Sequence, residues 1–209
     1  MGRRSRSVLE RTILSLRDRG VLVSLAIAAE EVVGTLVHGR RTGGTVPVER
    51  LDGDPEHHAL ETVRFRTLRR TLAAIPDDCC HGFLDLGCGH GRVLVAASSA
   101  GFSPVIGVEL SARVAARARR ATVPHAVEVV DGDAADYEIP SLVTAIYMGN
   151  PFGETTLHRV LDQVDASQAR RPRPMAIAYA NPVDVAVVEA RGFRAVWVDP
   201  DSVVLRRDP

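Results

Sequence analysis

One stretch constrains this chain more than any other: Phe83-Leu-Asp-Leu-Gly-Cys-Gly-His-Gly-Arg-Val93. A short apolar run ends on Asp85, glycines follow at 87, 89 and 91, and helical spacing resumes after Arg92. Glycines at a strand-to-helix turn reach backbone conformations closed to other residues and let the main chain pass close to a ligand. The helix that follows presents unpaired N–H groups at its start. The same glycines would also serve merely to tighten a connection, so their surroundings must decide.

Those surroundings alternate between strand and helix. Short apolar runs at Gly82–Leu86, Pro104–Glu109, Ala126–Val130, Val143–Met148, Met175–Ala180, Arg194–Val198 and Ser202–Leu205 read as strands. Helices are predicted to start near Gly91, Ser111, Gly153 and Pro182. This texture predicts an α/β, Rossmann-like, seven-stranded and mostly parallel sheet with helices on both faces. Asp199-Pro200-Asp201 is turn chemistry, so the last two strands are expected to form a hairpin with an antiparallel last strand. Upstream, residues 7–38 read as helix, residues 39–55 as a linker, and Glu56–Ala74 as an amphipathic helix. The expected division is an N-terminal helical extension and linker over 1–55 and one Rossmann-like domain over 56–209. A chain of 209 residues suits that plan better than two full domains.

Composition narrows the chemistry. Acidic and basic residues balance to zero net charge, so no global attraction to nucleic acid or anionic membrane follows. Nucleic acid is a disfavoured partner on this ground, although the Arg3, Arg4 and Arg6 cluster leaves such a contact open beside its reading as a solvated end. Every basic residue is Arg, which excludes Schiff-base and lysine general-base mechanisms. Cys79, Cys80 and Cys88 show no zinc spacing and no disulfide framework; no metal site and a cytoplasmic location are expected. The longest apolar run, residues 21–29, is too short to span a bilayer.

Two further strand ends speak to ligand chemistry. Glu109 closes the next strand about 20 residues past the first glycine, where an acid can accept hydrogen bonds from ribose hydroxyls. Asp133-Ala134 follows the third strand, where a carboxylate and an N–H can read adenine. Plainer readings stand beside these: Glu109 with Ser111 as a helix start, Asp133 as a turn residue and Cys88 as small filler. A dinucleotide-binding oxidoreductase would need glycine where Arg92 stands, so that fingerprint is broken.

With "LDLGCGHGR" (84–92), "GVEL" (107–110), "GDA" (132–134) and "NPF" (150–152), the chain resembles the class I S-adenosylmethionine-dependent methyltransferases over roughly residues 57–207. It also looks like a group of small bacterial members with an Arg-rich helical N-terminus and a "YNPF"-type fourth strand. The resemblance implies S-adenosyl-L-methionine as cofactor. Asp85, Gly87, Cys88, Gly89 and Gly91 would hold its methionine part, Glu109 its ribose and Asp133 with Ala134 its adenine, with Leu110 also against the cofactor.

The fourth strand runs into Asn150-Pro151-Phe152. This resembles the N-P-P-[FY] loop of methyltransferases that act on planar or amide nitrogens, with one proline fewer. The resemblance implies catalytic roles for Asn150 and Pro151 as acceptors orienting a target nitrogen and for Phe152 as an apolar or cation–π wall, Asn150 also lying against the cofactor. The acceptor would be an amine or amide on a small molecule or a protein. Asn followed by Pro is also what a helix start favours, at Asn150-Pro151 and again at Asn181-Pro182, where the capping reading is preferred. His57, His58, His90 and His158 are possible proton-transfer helpers by residue type, and the helix over 56–74 would bring His57, His58 and Arg64 beside the site. The alternative is a protein that binds S-adenosylmethionine without catalysis and acts as a regulator or scaffold.

Overall fold

In a computed structural model, residues 63–149 and 152–209 are described. The extension and linker over 1–55, the Arg3/Arg4/Arg6 cluster, His57, His58, Asn150 and Pro151 lie outside them, as does the expected domain boundary.

The described chain runs α1 (Phe65–Ala73), a 3₁₀ turn (Asp77–Cys79), β1 (Gly82–Leu86), α2 (Arg92–Ser99), β2 (Val105–Glu109), α3 (Ala112–Thr122), β3 (Val127–Asp131), β4 (Val143–Met148), α4 (Glu154–Arg170), β5 (Met175–Ala180), α5 (Val185–Glu189), β6 (Arg194–Asp199) and β7 (Ser202–Arg207). Seven strands form one sheet in the order β3-β2-β1-β4-β5-β7-β6. Neighbours from β3 to β5 pair in parallel, while β7 lies antiparallel between β5 and β6. The expected fold class, with its antiparallel last strand, is present.

β1, β4 and β5 are buried along their whole lengths, as strands covered on both faces must be. One face packs against Leu68 and Leu72 of α1, Val93 and Leu94 of α2 and Ala115 and Ala118 of α3. The other face meets Leu157, Val160, Leu161 and Val164 of α4, spaced i, i+3, i+4, i+7 as one helix stripe requires, together with Val188 of α5. Arg173, buried where β5 begins, donates to the carbonyl oxygens of Val143, Ser167 and Arg171 and to Ser167 Oγ, tying β4, α4 and β5 together.

Two helix boundaries differ from the sequence reading. The helix expected from Glu56 begins at Phe65, and Arg64 before it is extended (φ −67°, ψ 141°) with no side-chain cap bond. α5 begins at Val185 with Asp184 as its N-cap, so Asn181-Pro182 does not cap it; Asn181 instead takes a left-handed turn (φ 48°) and donates its N–H to Asp201 O. α4 starts where the sequence predicts, with Gly153 as its N-cap.

Because the chain leaves β1 toward β2 on one side and takes up β4 on the other, the strand order reverses between β1 and β4. In open α/β sheets ligands lie in the crevice beyond the carboxyl ends at such a switch point.

Candidate functional site

The glycine turn sits at that switch point. Gly87, Gly89 and Gly91 all have positive φ (79°, 54° and 85°), conformations in which a Cβ would be strained. The turn folds back on β2: Gly87 and Cys88 both donate their N–H to Val108 O, at 2.9 and 3.0 Å.

A carboxylate fixes the rest of it. Glu109 Oε2 accepts from Gly89 N at 2.9 Å and Oε1 from Ser111 N at 3.0 Å, in a side chain only 6% exposed. Glu109 therefore staples the glycine turn to the start of α3. A carboxylate has about four acceptor sites, so this bracing role is compatible with accepting ribose hydroxyls as well. Ser111 is the N-cap of α3, but its side chain makes no capping bond.

Gly107, on β2 beneath the turn, is the residue the sequence reading passed over. A Cβ there would lie 2.6 Å from Leu94 Cδ1 and 2.8 Å from Cys88 Sγ. The Cys88 side chain thus points inward and fills that space, so only its backbone faces the turn. Burial first, and then Asp85 and Glu109, push its thiol well above the ordinary range, which disfavours the thiolate.

Asp85 is buried with one oxygen left without a partner: it is 2% exposed, and its Oδ2 has no hydrogen-bond partner. Burial, followed by the Glu109 charge, holds its carboxyl well above the usual carboxylate range. His90, in the turn itself, has a buried Nε2 without a partner, and burial followed by Arg117 lowers its pKa.

At the β2 and β3 ends, Leu110 is 41% exposed directly after Glu109. Asp133 Oδ1 accepts from Ala135 N at 2.9 Å, and Arg159 lies 3.8 Å from its Oδ2. That arrangement shows Asp133 in its turn-forming part, with Ala134 buried beside it. Phe152 is buried in the core on the α4 face, packed with the sheet. Arg64 is exposed at the start of α1, and His158 on α4 lies 3.5 Å from Arg191. The structure thus brings Asp85, the three glycines, Cys88, His90, Glu109 and Leu110 to the carboxyl ends of the neighbouring strands β1 and β2, with Asp133 and Ala134 one strand farther.

Arg92, the last residue of the glycine motif and the break in the dinucleotide fingerprint, has a structural part as well. It is buried, lies 4.2 Å from the centre of the Phe65 ring and donates to Val63 O at 2.9 Å, holding the start of α1 against the turn. Among the described residues no group of three or more His, Cys, Asp or Glu could hold a metal ion, and no helix is long and apolar enough to cross a membrane.

Residues 83–167 match the family described as "Methyltransferase domain", a span that contains the glycine turn, Glu109 and Asp133. No curated protein matches the chain. Among solved structures, the chain is similar to an S-adenosylmethionine-dependent methyltransferase from Mesorhizobium loti, with 16% identity over 69% of this chain and 97% of that one, TM-score 0.53. A TehB-like methyltransferase from Corynebacterium glutamicum aligns at 19% identity over 68% and 87%, TM-score 0.51. The magnesium protoporphyrin IX methyltransferase of Synechocystis PCC 6803, with bound cofactor, aligns at 14% identity over 88% and 94%, TM-score 0.52. At these identities the likeness is one of fold.

Proposed function

We propose that this chain is a class I S-adenosylmethionine-dependent methyltransferase and that it transfers a methyl group to a nitrogen of a small-molecule or protein amine or amide. The observation that carries the reading is the pairing of a left-handed glycine turn with two buried carboxylates at the switch point, one bracing the turn and the other left without a partner.

The residues present fit the cofactor. Asp85 and Glu109 place two acidic groups in one dry region, and burial leaves Asp85, whose Oδ2 has no donor, in an unfavourable setting until a positive charge or a hydrogen-bond donor meets it. S-adenosylmethionine offers a cationic amino-acid end and ribose hydroxyls. The turn's glycines carry no Cβ, so its backbone can pass close to a ligand. Glu109 would accept from the ribose, Leu110 would give an apolar wall to the base, and Asp133 with Ala134 N–H would face its edge.

The cofactor supplies an already activated sulfonium methyl. The chain's own work is then to orient the acceptor, exclude water and take up charge. Asn150 and the Pro151 carbonyl are proposed to accept N–H bonds from the target amine and aim its lone pair. Such orientation is worth about 7–11 kcal/mol in favourable intramolecular cases. Phe152, in the core beneath that loop, would anchor the loop rather than stack on the acceptor.

Titration calorimetry with S-adenosylmethionine and S-adenosylhomocysteine tests the premise, and transfer of radiolabelled methyl into amines, phenols and thiols tests the acceptor. We expect binding of both ligands, transfer to amines, and an Asn150→Ala variant that loses turnover far more than affinity. Transfer confined to oxygen or sulfur would contradict the nitrogen assignment, and binding without transfer to any acceptor would favour a regulatory module.

A further inference from the structure

Asp85 is not alone beneath the glycine turn. Tyr147 Oη is also buried with no hydrogen-bond partner, and each of the two residues is only 2% exposed. The residues are register partners across β1 and β4. Adjacent side chains of paired strands share a face, and this is the face covered by α1, α2 and α3, because Phe83 and Ala145, two positions earlier on each strand, belong to that core. The Tyr147 ring leans toward the carboxyl end of the sheet: a Cβ on Gly149 would sit 3.8 Å from its Cε1. Its other register partner, Ala178, is small.

A core tyrosine kept only for packing needs its ring, and buried hydroxyls ordinarily find a partner because leaving them without one is costly. Here the fold uses the ring and leaves the hydroxyl without a partner, on the same sheet face as a register-paired carboxyl whose Oδ2 also has none. Burial, and behind it the Asp85 charge, pushes the phenol upward, so the hydroxyl stays neutral and its oxygen can accept a hydrogen bond. A ligand group satisfying both must donate to a carboxylate and to a neutral phenol oxygen at once and suit an acidic surrounding. An ammonium group does all three, whereas a carboxylate or phosphate would be repelled by Asp85 and Glu109.

We propose that Tyr147 is a cofactor-positioning residue whose hydroxyl oxygen, with the Asp85 carboxylate, forms a two-point seat for the α-ammonium group of the cofactor's methionine part. The assignment rests on the methyltransferase reading. The seat fixes the amino-acid end, and through it where the sulfur lies along the crevice.

Calorimetry on wild type and Tyr147→Phe, with S-adenosylhomocysteine and with 5′-methylthioadenosine, separates this role from a structural one. The second ligand keeps the nucleoside and sulfur but lacks the amino-acid end. The variant should bind S-adenosylhomocysteine about tenfold more weakly, bind 5′-methylthioadenosine as wild type does, and melt at the same or a higher temperature without ligand, since it removes a buried hydroxyl without a partner. Undiminished affinity for S-adenosylhomocysteine, equal losses for both ligands, or a lowered ligand-free melting temperature would overturn the seat. Failure of wild type to bind either ligand would instead overturn the methyltransferase reading beneath it.

Discussion

Asp85 is a carboxyl taken out of water, set near a second carboxylate and given no donor on one oxygen. Its pKa is raised in the fold, so the folded chain keeps this proton at a pH where the unfolded chain has lost it. Over that window the native state binds more protons, and stability falls as pH rises from the ordinary carboxylate range toward the elevated value. Asp85→Asn should therefore be more stable than wild type at neutral pH without ligand, by about 1 kcal/mol, with a flatter pH dependence, and should bind S-adenosylhomocysteine more weakly. Urea midpoints across the acid-to-neutral range check this; a variant less stable than wild type at neutral pH would contradict it. The pattern of strand, acid and glycines made Asp85 and Glu109 visible in the sequence. It could not show that Glu109 braces the turn through Gly89 and Ser111, because that depends on a χ angle and not on spacing. Tyr147 was hidden for another reason: within Val143–Met148 a tyrosine reads as one more core residue, and only its register partner makes the hydroxyl informative.

At the scale of elements, the turn is held by how closely α2 approaches β2. Leu94 of α2 and Cys88 of the turn converge on Gly107, and no room remains for a methyl group. Gly107→Ala should cost about 1–3 kcal/mol by overpacking. It should also weaken S-adenosylhomocysteine binding, because relief requires moving Cys88 and with it the turn. Melting temperature and calorimetry on the one variant check both; unchanged stability would mean the turn is not wedged there. The strands were legible almost to the residue, since buried parallel strands are continuous apolar runs bounded by turn residues, as in Met175–Ala180. Helix starts were less so. Arg64 makes no capping bond, so nothing in the composition near residue 64 marks where α1 begins. Asn181-Pro182 carries helix-start chemistry but is used for a left-handed turn that meets Asp201.

For the molecule as a whole, strand order does what no single residue can. It sets the ends of β1, β2 and β3 side by side, so that a glycine turn, a candidate ribose acceptor and a candidate adenine reader from distant parts of the sequence come to one end of the sheet. That convergence was legible because each motif follows a strand. The acceptor side was legible only as a motif, since Asn150 and Pro151 lie outside the described residues while Phe152 turns into the core. A crystal structure of the full chain with S-adenosylhomocysteine tests the account most directly. It should place the ribose hydroxyls on Glu109, the amino-acid end over Asp85 and the base against Leu110. A nucleoside found away from the carboxyl ends of β1 and β2, or a Glu109 that touches no part of it, would contradict the account.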